Sequence, residues 1–168
     1  MATDLAGEMA GEMALTERTI PAPANRVFEI LANGWSYAAW VVGNSHVRRV
    51  DPEWPAVGSQ LHHSSGAWPL QVRDTTIVRA MEPDRLLDLQ ARLWVFGRLN
   101  IRFTLIPVSG GGPDGTDSTR VVMEEKAVGG PIQLIPHPMQ RTLLKARNAE
   151  VLARLADLAT GGEGKTSW

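Results

Sequence analysis

The sequence predicts an α+β domain: a curved antiparallel sheet of about seven strands wrapped around a long C-terminal helix, with two short helices after the first strand. Three observations lead there. Strand-like segments of alternating polarity follow one another from residue 45 to residue 128. The spacers between them are short and rich in Gly, Pro, Asn and Asp, which favours antiparallel hairpins over crossovers. The last long segment then changes to helical spacing.

In order, Leu15–Ile20 reads as a strand that ends at Pro21-Ala22-Pro23. Ala24–Ala32 carries Val27, Phe28, Ile30 and Leu31 on one helical face, and Asn33-Gly34 closes it. Trp35–Val41 reads as a second short helical stretch. Strands are expected at Ser45–Asp51, Ser59–Ser65, Leu70–Met81, Arg85–Trp94, Arg98–Val108 and Ser118–Val128. In Pro138–Thr160, Leu144, Val151, Leu155 and Leu158 fall at helical spacing among charged residues, with Pro138 in the first turn and Gly161 as the stop. That helix is about 33 Å long at its ideal rise. It matches the roughly 36 Å of an eleven-residue strand.

The chain has 168 residues, of which 43% are apolar, enough for one core and one domain. Residues 14–160 are assigned to that domain, and 1–13 and 161–168 to flexible tails. Lys and Arg number 17 against 18 Asp and Glu, for a net charge of −1, which argues against a nucleic-acid partner. No cysteine is present, so disulfides, thiolate catalysis and Cys-based zinc sites are excluded. No apolar run reaches the about 18 residues of a transmembrane helix, and Met1–Met13 lacks the basic region of a signal peptide. A cytoplasmic protein is the expectation.

Strand alternation assigns the faces. Leu87, Leu89, Ala91 and Leu93 share one, as do Leu99, Ile101, Phe103 and Leu105. The apolar phase of the Leu70–Met81 strand also contains Asp74 and Thr76; Leu61 shares its face with His63 rather than His62; Val121 and Met123 share theirs with Glu125. Inward polar groups are costly unless paired or wet, so this set predicts a pocket with a few oriented hydrogen-bonding groups. Asn148, between Leu144 and Val151 on the helix stripe, adds another.

The stretches Glu17–Asn33 (ERTIPAPANRVFEILAN), Trp54–Leu70 (WPAVGSQLHHSSGAWPL), Gly115–Pro131 (GTDSTRVVMEEKAVGGP) and Arg147–Ala159 (RNAEVLARLADLA) carry a resemblance. Over residues 15–160 the sequence resembles the helix-grip fold of the START-like SRPBCC superfamily, in its polyketide cyclase/dehydrase-like branch. The resemblance implies a hydrophobic cavity between sheet and long helix. It transfers no catalytic residue, because no diagnostic motif is present.

The cavity candidates are His63, Asp74, Thr76, Leu89, Ala91, Ile101, Phe103, Met123, Glu125, Leu144 and Asn148, with Trp35, Tyr37, Trp40 and Trp68 at an aromatic entrance. His62 and His63 point to opposite faces and no HExxH pattern exists, so no metal site is expected; no cofactor is expected either. Asp74 with Thr76 could form a base and its orienter or a ligand clamp. Against that, a bulge could turn Asp74 outward, or it could pair with Arg73 or Arg79. Arg141, Lys145, Arg147 and Arg154, interleaved with Glu150 and Asp157, read as a solvated helix face. The glycine run Gly110–Gly112 lacks the Lys-Ser/Thr of a phosphate loop and reads as a hairpin connection. Binding of a small hydrophobic molecule, lipid- or polyketide-like, is the leading functional expectation. A cyclase or aromatase using His63, Asp74 or Glu125 for proton transfer is the first alternative, and an interaction or toxin–antitoxin-type module the second.

Overall fold

The computed structural model describes residues 13–66, 72–93, 95 and 97–161. Strand β1 (Ala14–Ile20) is followed by helix α1 (Ala24–Ala32), a 3-10 turn (Gly34–Ser36) and helix α2 (Tyr37–Trp40). Strands β2 (Asn44–Val50), β3 (Gln60–Ser65), β4 (Val72–Glu82), β5 (Leu86–Leu93), β6 (Gly97–Val108) and β7 (Ser118–Ala127) come next, and helix α3 (His137–Gly161) is last. The sheet order is β1-β7-β6-β5-β4-β3-β2, with every neighbour antiparallel. The chain thus lays β1 on one edge and crosses through the two short helices. It starts again on the opposite edge with β2 and returns hairpin by hairpin until β7 pairs with β1. This is the helix-grip architecture.

Alternation places the apolar positions on one face. Leu87, Leu89 and Ala91 of β5, Leu99, Ile101, Phe103 and Leu105 of β6, and Val121 and Met123 of β7 are buried. On the other face, Arg102 grips Asp88 through two nitrogens at 2.7 and 2.9 Å, and Gln90 donates to Asn100 at 2.9 Å. Register holds the phases together: Leu89 stands opposite Ile101, and Ile101 opposite Glu125. A register shift between Val78 and Ala80 interrupts the β4–β5 ladder, and Asp74 and Thr76 stay on the inner face below it.

Helix α3 buries Asn148, Val151, Leu152, Leu155, Ala156 and Ala159, the i, i+3, i+4 stripe of a core-facing helix, and packs most extensively on β1. Leu152, Ala156 and Ala159 belong to this stripe, whereas Leu158 is only half-buried. The N-terminal half of the helix behaves differently. Between Arg141 and Arg147 none of its residues is buried, so this half overhangs the sheet. Gln140 anchors it, donating from Nε2 to the carbonyls of Ile132 and Ile135 at 2.7 and 2.8 Å.

The short helices are tied in by their aromatic residues. Tyr37 donates its hydroxyl to the Leu31 carbonyl at 2.8 Å, and burial pushes its pKa up. Trp40 donates Nε1 to Ser36 Oγ at 3.1 Å and meets Phe103 edge-on, with ring centres 5.9 Å apart.

Gly97 opens β6 at φ 127°, and a Cβ there would clash with the Gly129 carbonyl oxygen. Both the backbone conformation and the close approach therefore require glycine. Gly97→Ala should cost about 2 kcal/mol of stability, measured by urea denaturation. A neutral result would mean that the β5–β6 and Gly129 segments separate without loss.

Candidate functional site

The inner face of the sheet and the overhanging half of α3 enclose a cavity of about 300 Å³. Its sheet wall is Leu89, Ala91, Ile101, Phe103 and Met123, with Leu93 and Leu99 beside them. Leu144 and Val151 line it from the helix, and Tyr37 and Trp40 from α2. Polar atoms enter in two places: His63, Thr76 and Ser65 on β3 and β4, and Arg147 with Asn44 where α3 faces the start of β2.

Several sequence expectations need correction. Trp35 is 61% exposed on the 3-10 turn and does not line the cavity. Tyr37 and Trp40 do, but as buried wall residues rather than as an exposed entrance, because their polar tips are held inside by Leu31 and Ser36. Trp68 lies outside the described residues. Asp74, Glu125 and Asn148 are buried on the inner face, yet they sit behind the cavity lining and not on it. Arg147 is not part of a solvated helix face: it lines the cavity and forms its principal charge contact.

That contact is with Glu125, whose side chain is fully buried; Arg147 Nη1 donates to both carboxylate oxygens at 2.8 and 3.1 Å. Arg147 Nε donates to the Val42 carbonyl at 3.1 Å, and Nη1 lies 3.4 Å from Asn148 Oδ1. One guanidinium thus ties α3 to β7 and to the segment before β2. Asn148 Nδ2 is buried with no partner among the described residues. The residues that sequence reasoning missed, Arg147 above all, were not without signal. Leu144, Arg147 and Val151 stand at i, i+3 and i+7, so Arg147 shares the stripe that made Asn148 a candidate.

His63 carries a hydroxyl at each ring nitrogen, Thr76 Oγ1 at 3.1 Å from Nε2 and Ser65 Oγ at 3.3 Å from Nδ1. Asp74 stands directly opposite it in register. Burial lowers the His63 pKa below the ordinary 6.5; Asp74 opposes that shift, and Arg48 and His62 add to it. The imidazole therefore faces the cavity neutral at neutral pH. Its neighbour His62 points to the other face, 3.1 Å from Arg49 Nη2. Among the described residues no cluster of three or more His, Cys, Asp or Glu could hold a metal ion, and no helix is long and apolar enough to cross a membrane.

The sequence profile of a family described as polyketide cyclase/dehydrase and lipid transport matches residues 14–160, the whole of the sheet and nearly all of α3. The chain belongs to this family. It is thereby a polyketide-cyclase-like ligand-binding domain. Solved structures agree on the fold. A START superfamily protein from Mycobacterium smegmatis superimposes with a TM-score of 0.68 at 18% identity, over 89% of this chain and 97% of that one. A protein from Chromobacterium violaceum gives 0.65 at 16% identity, over 88% and 97%. A protein of the dynemicin biosynthetic locus gives 0.62 at 20% identity, over 89% of this chain and 48% of its own. A comparison with curated protein sequences gives no match.

Removing the guanidinium by Arg147→Ala strands the Glu125 carboxylate in the interior and should cost about 3 kcal/mol in chemical denaturation. Adding Glu125→Gln to that variant should recover part of the loss, because a neutral amide needs no counter-charge; no recovery would mean that Arg147 acts through packing alone. For His63 the folded pKa lies below the unfolded one, so the unfolded chain binds the proton first as pH falls. Its stabilising contribution is complete above about pH 6.5 and is lost as pH drops from there through the folded pKa. His63→Gln should flatten the stability–pH curve in that window, and an unchanged slope would exclude His63 as its source.

Proposed function

We propose that the protein binds one small, predominantly apolar molecule, lipid- or polyketide-like, in the cavity under α3. The observation that carries this reading is the make-up of the wall. Leucine, isoleucine, phenylalanine and methionine side chains surround about 300 Å³, and the polar groups are few and grouped on one side. A volume of that size is at the lower end of those that hold small organic ligands. Burial of apolar ligand surface supplies the affinity, and the polar groups supply orientation.

The test is a neutral fluorescent probe, N-phenyl-1-naphthylamine, titrated into the protein. One site with a micromolar Kd is expected. Leu89→Trp fills the space from the centre of the sheet wall and should weaken binding by about tenfold or more, a change of about 1.4 kcal/mol. Unchanged affinity in a folded variant would remove Leu89 from the binding wall. Native mass spectrometry of the purified protein would reveal a retained ligand directly.

A second reading, cyclase or aromatase chemistry, is supported by one observation. His63 is neutral, lines the cavity, and is held by hydroxyls on both nitrogens with a buried carboxylate opposite it. A neutral imidazole so placed can accept a proton from a substrate carbon or hydroxyl. Turnover of a polyketide-like substrate that is lost in His63→Gln and reduced in Asp74→Asn would favour it. Binding that survives in His63→Gln with no turnover in the native protein would leave the binding reading alone.

A further inference from the structure

The nitrogens of the Arg147 guanidinium are unequally used, and the inequality bears on ligand class. Arg147 uses Nη1 for Glu125 and Nε for Val42, while Nη2 makes no hydrogen bond among the described residues. Asn44 lines the same cavity, and its side-chain oxygen is buried without a partner among the described residues. Asn44 adjoins the Val42–Gly43 segment that Arg147 holds, and in the β2–β3 register it stands opposite Ser65, another lining residue. A donor and an acceptor thus both line the polar side of an otherwise apolar space.

The charge at this place is already balanced. Glu125 is fully buried directly behind the guanidinium and takes two short contacts from it. Of the other titratable groups on the wall, His63 is held below and Tyr37 above its ordinary pKa by burial, so both are neutral there. A ligand carboxylate arriving at Nη2 would gain Arg147 but would meet the Glu125 charge across the same guanidinium, inside a low-dielectric cavity. It would also lose its own hydration. An uncharged oxygen suffers neither penalty and still receives a charge-assisted hydrogen bond.

Resting on the binding reading above, we propose that the cavity selects uncharged amphiphiles, with a carbonyl or hydroxyl oxygen accepting from Arg147 Nη2 and, where the head is a hydroxyl, its proton donated to Asn44 Oδ1. Glu125 is the specificity-determining residue that disfavours carboxylates. Glu125 touches no ligand; it acts through the guanidinium.

Displacement of N-phenyl-1-naphthylamine by four molecules of equal chain length tests this: decanone, decanol, decanoate and decane, at about pH 8 so that the acid is ionised. In the native protein the ketone and the alcohol should displace the probe at concentrations about tenfold or more below those of decanoate and decane, as expected for one hydrogen bond to a charged group. In Glu125→Gln, decanoate should gain about tenfold while the neutral heads change little, since a positive site is now uncompensated. In the double variant Glu125→Gln, Arg147→Met, the neutral heads should lose their advantage over decane. Decanoate equal to or tighter than decanone in the native protein would overturn the proposal. That single result needs no variant to fold. An unchanged ranking in folded Glu125→Gln would overturn it as well. If the probe itself fails to bind the native protein, the binding reading falls and this one with it.

Discussion

The structure depends on one constraint: a single helix must cover the concave face of a seven-stranded sheet. Sheet faces this apolar are stable only when they are removed from water, and α3 is the only long helix among the described elements. It covers the face unevenly. From Asn148 onward its buried stripe packs against β1 and α1, and the contact is continuous core. Ahead of Asn148 the helix leaves the sheet, and the cavity occupies the gap. Core and cavity are thus two halves of one interface, divided where the helix stops being buried.

Arg147 and Asn148 stand at that division and meet different environments one residue apart. Asn148 turns into the core, where its Nδ2 has no partner among the described residues, and Arg147 turns toward the opening and finds Glu125. A buried ion pair is weak support for stability as such, because two desolvated charges offset much of their own attraction. Its use here is geometric. Through Glu125 and Val42 it pins the overhanging half of α3 to both sides of the cavity, while Gln140 pins the start of the helix to the Pro131–Leu134 turn and the residue that follows it. The overhang can then span an unfilled space without a packed core beneath it.

Much of the fold was legible because strand alternation and helical spacing are local properties. The period-two phases of β3, β4 and β7 correctly put His63, Asp74, Thr76 and Glu125 on the inner face and His62 on the other. The fate of each polar group was not legible. Asp74 and Glu125 point inward as alternation requires, but whether an inward side chain meets a cavity or a packed neighbour depends on the element lying over it. Arg147 shows the same limit from the opposite direction. Among charged residues on a helix it looks solvated, and only the Glu125 carboxylate waiting on β7 draws it in. The aromatic residues near the cavity divide for a related reason: Tyr37 and Trp40 are drawn into the wall by Leu31, Ser36 and Phe103, while Trp35 on the adjoining turn is exposed.

The sequence by itself therefore determined the element order, the antiparallel sheet, the covering helix and the inward set of side chains, because each follows from a periodicity of 2 or 3.6 residues and from turn chemistry within a few positions. Only the tertiary structure decided that the cavity lies under the first half of α3, that Glu125 is matched by Arg147, and that the space between is apolar on one side and polar on the other. Those outcomes depend on residues far apart in the chain, such as Val42, Glu125 and Arg147, meeting at distances of 2.8 to 3.1 Å. No local pattern encodes that meeting; it is set by how far the helix overhangs the sheet.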